Sequence, residues 1–113
     1  MTALLKPKPK QKPPLESNVV VLDRPFVIEY SASEDLDDKV GECVYYEQRI
    51  RISNVLPLRT EQHIVMHELV HAADEIMGTG LKENQVQAMG YAVTCLLRDN
   101  PHLIAYLLQK ERK

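Results

Sequence analysis

Two histidines one helical turn apart are the residues of this chain whose spacing is best suited to chemistry. The segment reads His67-Glu68-Leu69-Val70-His71. In an α-helix each residue turns by about 100°, so positions i and i+4 share a face. Measured from His67, His71 falls at about 40° and Glu68 at about 100°. The two imidazoles can then converge on one divalent cation, and zinc binds such nitrogen ligands at about 2.0–2.1 Å.

Glu68 is spaced for a different role from that of the two histidines. A carboxylate that lies further around the helix is too distant to bind the same cation, but it can accept the proton of a water activated there. A shuffled chain of this composition contains the His-Glu-x-x-His pattern with a probability of roughly 0.01. The spacing therefore predicts metal-assisted hydrolysis, with His67 and His71 as zinc ligands and Glu68 as general base. An exposed, charged helix face without a metal is the alternative.

Catalytic zinc usually takes three protein ligands and one water, so a third ligand is needed. One class of such sites has a further histidine six residues after the second, but here Met77 occupies that position. We predict Glu83, in the first turn of the next helix, as the third ligand. Alternatively, Glu83 binds no metal and only interacts favourably with the dipole at the start of that helix. Asp74 and then His63 are alternative ligands, because both lie on the ligand side of the motif helix. Asp74 could instead orient an imidazole.

Three helices are predicted in the second half of the chain. The motif helix is expected to begin at a cap formed by Thr60 and to end at Met77, because glycines follow within residues 78–80. A second helix is predicted for about residues 82–98. A third is predicted for about residues 101–110, after Asn100-Pro101.

Two single residues, Gly90 and Glu61, add predictions about these helices. Gly90 lies in the middle of the second helix, where glycine costs about 1 kcal/mol relative to alanine. Close packing against the motif helix would explain it. Glu61 lies in the first turn of the motif helix, where an acidic side chain interacts favourably with the helix dipole.

The first half of the chain predicts strands, which makes the fold class α+β with strands before helices. The predicted strands are Val19–Leu22, Phe26–Tyr30, Val40–Tyr46 and Arg49–Ser53. The first two could also be one strand broken at Pro25, and a loop or single helical turn follows them. The last two form a predicted hairpin with its turn at Glu47-Gln48. Arg49–Ser53, with Ile50 and Ile52 on one face, could offer a sheet edge to an extended peptide.

The composition is that of one small globular domain. The chain has 113 residues, 44% hydrophobic and 27% charged. It has no apolar run of membrane-spanning length and no secretory signal, which predicts a cytoplasmic protein without a membrane partner. Cys43 and Cys95 form no CxxC pair, so a zinc ribbon is excluded and buried free thiols are expected.

Residues 1–16 are predicted to be a flexible arm in front of a domain at 17–113. Lysine and proline alternate in the arm, which contains four lysines but little apolar surface to bury. Since the whole chain has a net charge of −2, the domain itself is acidic. An acidic domain argues against nucleic acid as the main partner, and four lysines would bind it only weakly.

The sequence resembles the small phage and prophage zincin-like metallopeptidases, relatives of those that cleave or inactivate phage-type repressors. The resemblance is carried by Gly41–Ile52, His67–Gly80 and Leu81–Pro101. It implies a gluzincin-like site, in which His67, His71 and a glutamate from the following helix bind zinc. In the repressor-cleaving relatives that glutamate lies three residues before an alanine, whereas here Gln85 holds that position before Ala88 and the glutamate is Glu83.

The function predicted from motif and resemblance together is hydrolysis of an intracellular protein or peptide, with zinc as cofactor. Tyr91 or Tyr45 could stabilise the oxyanion, although most tyrosines serve packing. The rival prediction is a catalytically silent zinc-binding interaction or regulatory protein of phage origin, because a chain of 113 residues leaves little room for a deep cleft.

Overall fold

The structure, a computed structural model, describes residues 18–111. The predicted arm at residues 1–16 lies outside this range. The strands are β1 (Asn18–Val21), β2 (Arg24–Ser31), β3 (Gly41–Val44) and β4 (Arg49–Ser53). The helices are α1 (Leu58–Met77), α2 (Glu83–Asp99) and α3 (Pro101–Leu107). Strands precede helices, so the predicted α+β class is confirmed.

The four strands form one mixed sheet in the order β1-β2-β4-β3. β1 and β2 are antiparallel, β2 and β4 are parallel, and β4 and β3 are antiparallel. The predicted hairpin is therefore present, and a short 3-10 turn at Tyr45–Glu47 joins its two arms. Another 3-10 turn at Ser33–Leu36 occupies the segment predicted as a loop or single helical turn.

The first two predicted strands are separate, and they form a hairpin of their own. Leu22 and Asp23 make its turn, with φ angles of 47° and 71°, the left-handed conformations that suit a two-residue hairpin turn. Pro25 lies within β2, opposite Val20, and does not break the strand. A proline is tolerated there because the pairing of β2 with β4 begins only at Val27.

The prediction that Arg49–Ser53 is a sheet edge is wrong. This strand, β4, is paired on both sides, with β2 and with β3. Ile50 and Ile52 on its inner face are both fully buried in the core. The hairpin places β3 at the edge of the sheet instead.

One face of the sheet packs against α1, and the other carries charged side chains. Core residues from the strands and the helix are Phe26, Ile28, Ile50, Ile52, Val65 and Ala72. On the opposite face Arg51 pairs with Glu42 at 3.1 Å, and Arg49 pairs with Glu29. Alternation along β4 thus separates a buried apolar face from a polar one, as predicted.

The motif helix begins three residues earlier than predicted. Pro57 is its N-cap residue, and the backbone N–H of Glu61 donates to the carbonyl of Pro57 at 2.8 Å. Thr60 is therefore inside the helix and does not cap it. The far end is as predicted, because Gly78 has a left-handed φ of 64° and closes the helix by donating to the carbonyl of Asp74.

Glu61 lies in the first turn of α1, as predicted, and it is buried there. Only 3% of it is exposed, and its Oε2 accepts a hydrogen bond of 2.9 Å from the hydroxyl of Tyr30 in β2. Burial and the neighbouring carboxylate raise the pKa of Tyr30 well above its usual value. Glu61 thus ties the start of α1 to the sheet.

α2 and α3 follow the predicted course, although α3 ends at Leu107, before the predicted residue 110. Asn100 occupies the N-cap position of α3, but its side chain donates back to the carbonyl of Leu96. Cys43 and Cys95 are free as predicted, and both are only partly buried. None of the helices within residues 18–111 combines the length and apolar character that a membrane crossing requires.

Candidate metal centre

The site is built where α2 runs back along α1. Glu83, at the start of α2, lies beside His71, and Arg98, near its end, donates to Gln62 at 3.0 Å. Between them the two backbones are in close contact. A Cβ atom on Gly90 would lie 3.3 Å from Cα and 3.4 Å from N of His67. The close packing predicted from this glycine is therefore present, and it occurs at one of the motif histidines.

Substitution of Gly90 should separate the two helices. Gly90→Val is expected to destabilise the protein by about 1–3 kcal/mol, because the added side chain must displace helix backbone. The matched control is Ala92→Val on the exposed side of the same helix. Helix propensity alone would favour valine over glycine at position 90 and disfavour it relative to alanine at position 92. Urea unfolding would contradict the expectation if Gly90→Val were as stable as the unchanged protein.

His67, His71 and Glu83 form one group of potential metal ligands. Nε2 of His67 lies 3.0 Å from Oε2 of Glu83, and Nε2 of His71 lies 2.8 Å from Oε1. The imidazole centres are 4.8 Å apart, with their planes at 71°. Within residues 18–111 no other group of three or more His, Cys, Asp or Glu side chains has this arrangement. Of the three third ligands considered, Glu83 is the one that the fold brings to both histidines.

The three side chains differ in how firmly the fold holds them. The side chains of His67 and His71 are 16% and 32% exposed, whereas that of Glu83 is 66% exposed. Ligands around a tetrahedral zinc are separated by about 3.3 Å, given bonds of about 2.0–2.1 Å. The nitrogen–oxygen distances here are slightly shorter, so a small outward movement of Glu83 would admit the ion. Its exposure gives it the freedom to make that movement.

Asp74 is engaged elsewhere. Its Oδ1 accepts hydrogen bonds from the hydroxyl of Thr79 and from the backbone N–H of Leu81, the latter at 3.0 Å. These two hydrogen bonds lower the pKa of Asp74. The role of this residue in the turn between the helices was missed, although the Gly78-Thr79-Gly80 segment was a signal for it.

His63 also lies outside the ligand group. Its ring stacks on Tyr91 with centroids 5.0 Å apart, and its Nε2 lies 3.5 Å from the guanidinium of Arg98. Because a guanidinium can only donate, this nitrogen of His63 faces it as an acceptor. His63 therefore belongs to the contact between α1 and the end of α2.

Glu68 lies on the side of α1 that faces the sheet, and it is 6% exposed. Burial raises the pKa of its carboxyl to about 7, the charges of Glu83 and Glu42 add to the rise, and His71 and Lys39 oppose it. Burial, and then the charge of Glu68, also raises the pKa of Cys43 in β3 to about 11. Glu68 thus lies between the histidine pair and the edge strand.

A groove of about 700 Å³ opens beside His67 between α1 and α2. Its walls include Thr60, Ile64 and His67 from α1 and Asn84, Gln87 and Tyr91 from α2. Ile64 also packs on the first residue of β3, since a Cβ on Gly41 would lie only 2.6 Å from its Cγ2. The groove and the sheet edge therefore lie on either side of the same stretch of α1.

The two tyrosines considered as oxyanion stabilisers have different surroundings. The hydroxyl of Tyr45 accepts a hydrogen bond of 2.9 Å from Arg24, and its ring packs against Phe26. Tyr45 is therefore a packing residue. Tyr91 is exposed and lines the groove together with His67.

Comparison with models of protein families, with curated proteins and with solved structures gives no match for this chain. The resemblance to zincin-like metallopeptidases thus rests on the sequence motifs alone.

Proposed function

We propose that this protein is a zinc-dependent peptide hydrolase. The observation that carries the proposal is the convergence of His67, His71 and Glu83 beside the buried carboxylate of Glu68. The first three side chains supply a ligand set, and the fourth supplies a base that is not part of it. Metal-assisted hydrolysis requires both metal ligands and a separate base that accepts the proton of the water.

Zinc is the cation that best suits this ligand set. Two imidazole nitrogens and one carboxylate oxygen are characteristic ligands of catalytic zinc, which keeps a fourth position for water. Calcium and magnesium prefer oxygen ligands in larger or more regular shells. The exposed side of Glu83 leaves room for the fourth position.

Glu68 carries the proton transfers in the proposed reaction. Zinc, when bound, lowers the pKa of water at the site towards about 7 and polarises the substrate carbonyl. Glu68 accepts a proton from the attacking water as the water oxygen bonds to the carbonyl carbon. It passes that proton to the amine nitrogen as the carbon–nitrogen bond breaks, leaving a free acid and a free amine.

The substrate is proposed to lie between β3 and the groove. β3 is an edge strand with one side unpaired within the described sheet, so an extended peptide can add to it by backbone hydrogen bonds. Glu68 lies close to this strand, as its effect on Cys43 indicates. Side chains of the substrate would enter the groove beside His67, where the hydroxyl of Tyr91 is the predicted oxyanion donor.

Metal loading and removal test the proposal. The purified protein, offered zinc and then freed of excess, is expected to contain one zinc per chain and to cleave an unfolded protein such as casein. A strong chelator should stop cleavage, and added zinc should restore it. A protein that remains metal-free would contradict the proposal, and one that binds zinc but cleaves neither casein nor a library of extended peptides would be a zinc-binding protein without turnover.

A further inference from the structure

We infer that Asp74 is a positioning residue for the metal centre, whose carboxylate fixes the turn between the two ligand-bearing helices and so holds Glu83 at the histidines. The inference rests on the metal site of the proposed function. It assigns Asp74 a role through another residue, in place of the direct ligation that the sequence left open.

Asp74 binds almost every residue of this turn. Its backbone carbonyl accepts from the N–H groups of Gly78 at 2.8 Å and Thr79 at 3.3 Å. Its carboxylate accepts from the hydroxyl of Thr79 and from the backbone N–H of Leu81. One residue in the last turn of α1 thus receives hydrogen bonds from three of the four residues at positions 78–81.

The turn needs this support because its backbone is unusual. Gly78 and Gly80 both have left-handed φ angles, 64° and 66°, and glycine is the residue with the greatest conformational freedom in the unfolded chain. Neither glycine has a side chain that could pack against neighbouring residues. The hydrogen bonds to Asp74 are therefore the contacts that select one turn geometry among many.

Glu83 depends on that geometry more than the histidines do. His67 and His71 are placed by α1 itself, whereas Glu83 is two-thirds exposed and is the first residue of α2. The last hydrogen bond from the turn to Asp74 comes from Leu81, two residues before Glu83. Lys82 then starts α2 by donating its backbone N–H to Oε1 of Gln85 at 2.8 Å. The position of Glu83 thus depends on the hydrogen bonds that the carboxylate of Asp74 accepts from the turn.

Direct ligation by Asp74 is disfavoured by the same contacts. Two donors converge on its Oδ1, and the side chain is directed to the turn rather than to the imidazoles. Among residues 18–111 the ligand group contains Glu83 and not Asp74. Because no oxygen of Asp74 lies within the ligand group, binding zinc through Asp74 would require its carboxylate to move away from the turn.

A double-mutant cycle on zinc affinity tests the inference, with zinc alone as the probe and a competing chelator as the readout. Asp74→Ala is expected to weaken zinc binding by about 10–100-fold, the usual effect of losing a group that orients a ligand. In a Glu83→Ala background the same substitution should cost nothing further, because there is no longer a ligand to position. Asp74→Asn, which keeps an acceptor oxygen, should restore part of the affinity.

Glu75→Ala is the matched control, since it removes the same charge from the adjacent, exposed position. It should leave zinc affinity within about twofold, given how weakly exposed charges act. The free energy of unfolding of each metal-free variant shows whether a loss of zinc affinity comes from a loss of stability. If Asp74→Ala does not fold, Asp74→Asn takes its place in the zinc titration. Unchanged affinity in Asp74→Ala, or an equal loss in the Glu83→Ala background, would overturn the inference. Absence of zinc binding by the unchanged protein would instead refute the proposed function.

Discussion

Replacing Glu68 with glutamine is expected to abolish hydrolysis while zinc binding is retained. Glutamine has nearly the same shape but cannot accept the proton of the attacking water, and loss of a general base typically costs about 10²–10⁴-fold in rate. Glu68 is outside the group formed by His67, His71 and Glu83, so the ligands remain. Because burial disfavours a charge at this position, the neutral amide should leave the metal-free protein at least as stable.

The measurement pairs kcat/KM for a cleaved peptide with the zinc content of the same sample. Glu75→Gln provides the control, since Glu75 lies on the same helix but at an exposed position. It should change neither quantity appreciably. Hydrolysis by Glu68→Gln at the original rate would show that another residue is the base, and loss of zinc would show that Glu68 is needed to form the site.

Removal of either motif histidine is expected to produce the largest loss of zinc affinity. His67→Ala and His71→Ala each delete one of three ligands, so the loss should exceed the roughly 10–100-fold that substitutions around a ligand cause. Each substitution also leaves Glu83 with only one of its two imidazole partners. Zinc titration against a chelator of known affinity would measure the effect.

His63→Ala is the matched control for these two variants. His63 lies on the same helix, four residues before His67, but its ring contacts Tyr91 and Arg98 instead of the ligand group. Its removal should leave zinc affinity within a few-fold. An equal loss of zinc affinity in all three variants would mean that His63 is also a ligand, which is one of the alternatives predicted from the sequence.

The grouping of the three candidate metal ligands was predictable because it depends on local geometry. His67 and His71 are four residues apart in one helix, and that spacing alone fixes their shared face. Glu83 follows after a turn marked by two glycines, which reverses the chain and returns the next helix to the first. Gly90 revealed the contact between those helices for the same reason, since its cost in a helix needs a compensating close approach.

The parts that sequence reasoning missed depend on contacts between distant segments. The central position of β4 follows from pairing with β2, and nothing in residues 49–53 distinguishes a central strand from an edge strand with one apolar face. Glu61 is buried because Tyr30, far away in the chain, provides a hydrogen-bond donor. The start of α1 directly after Pro57 likewise depends on a backbone bond and not on a capping side chain.

The exposure of Glu83 has a consequence for how the cation arrives. The two imidazoles of the candidate site lie at the junction of α1 and α2, while the carboxylate of Glu83 lies at the surface and is free to rotate outward. An ion from solvent can therefore reach the histidines through the side that Glu83 covers, without separation of the helices. The proposed site could therefore take up its cation after the chain has folded.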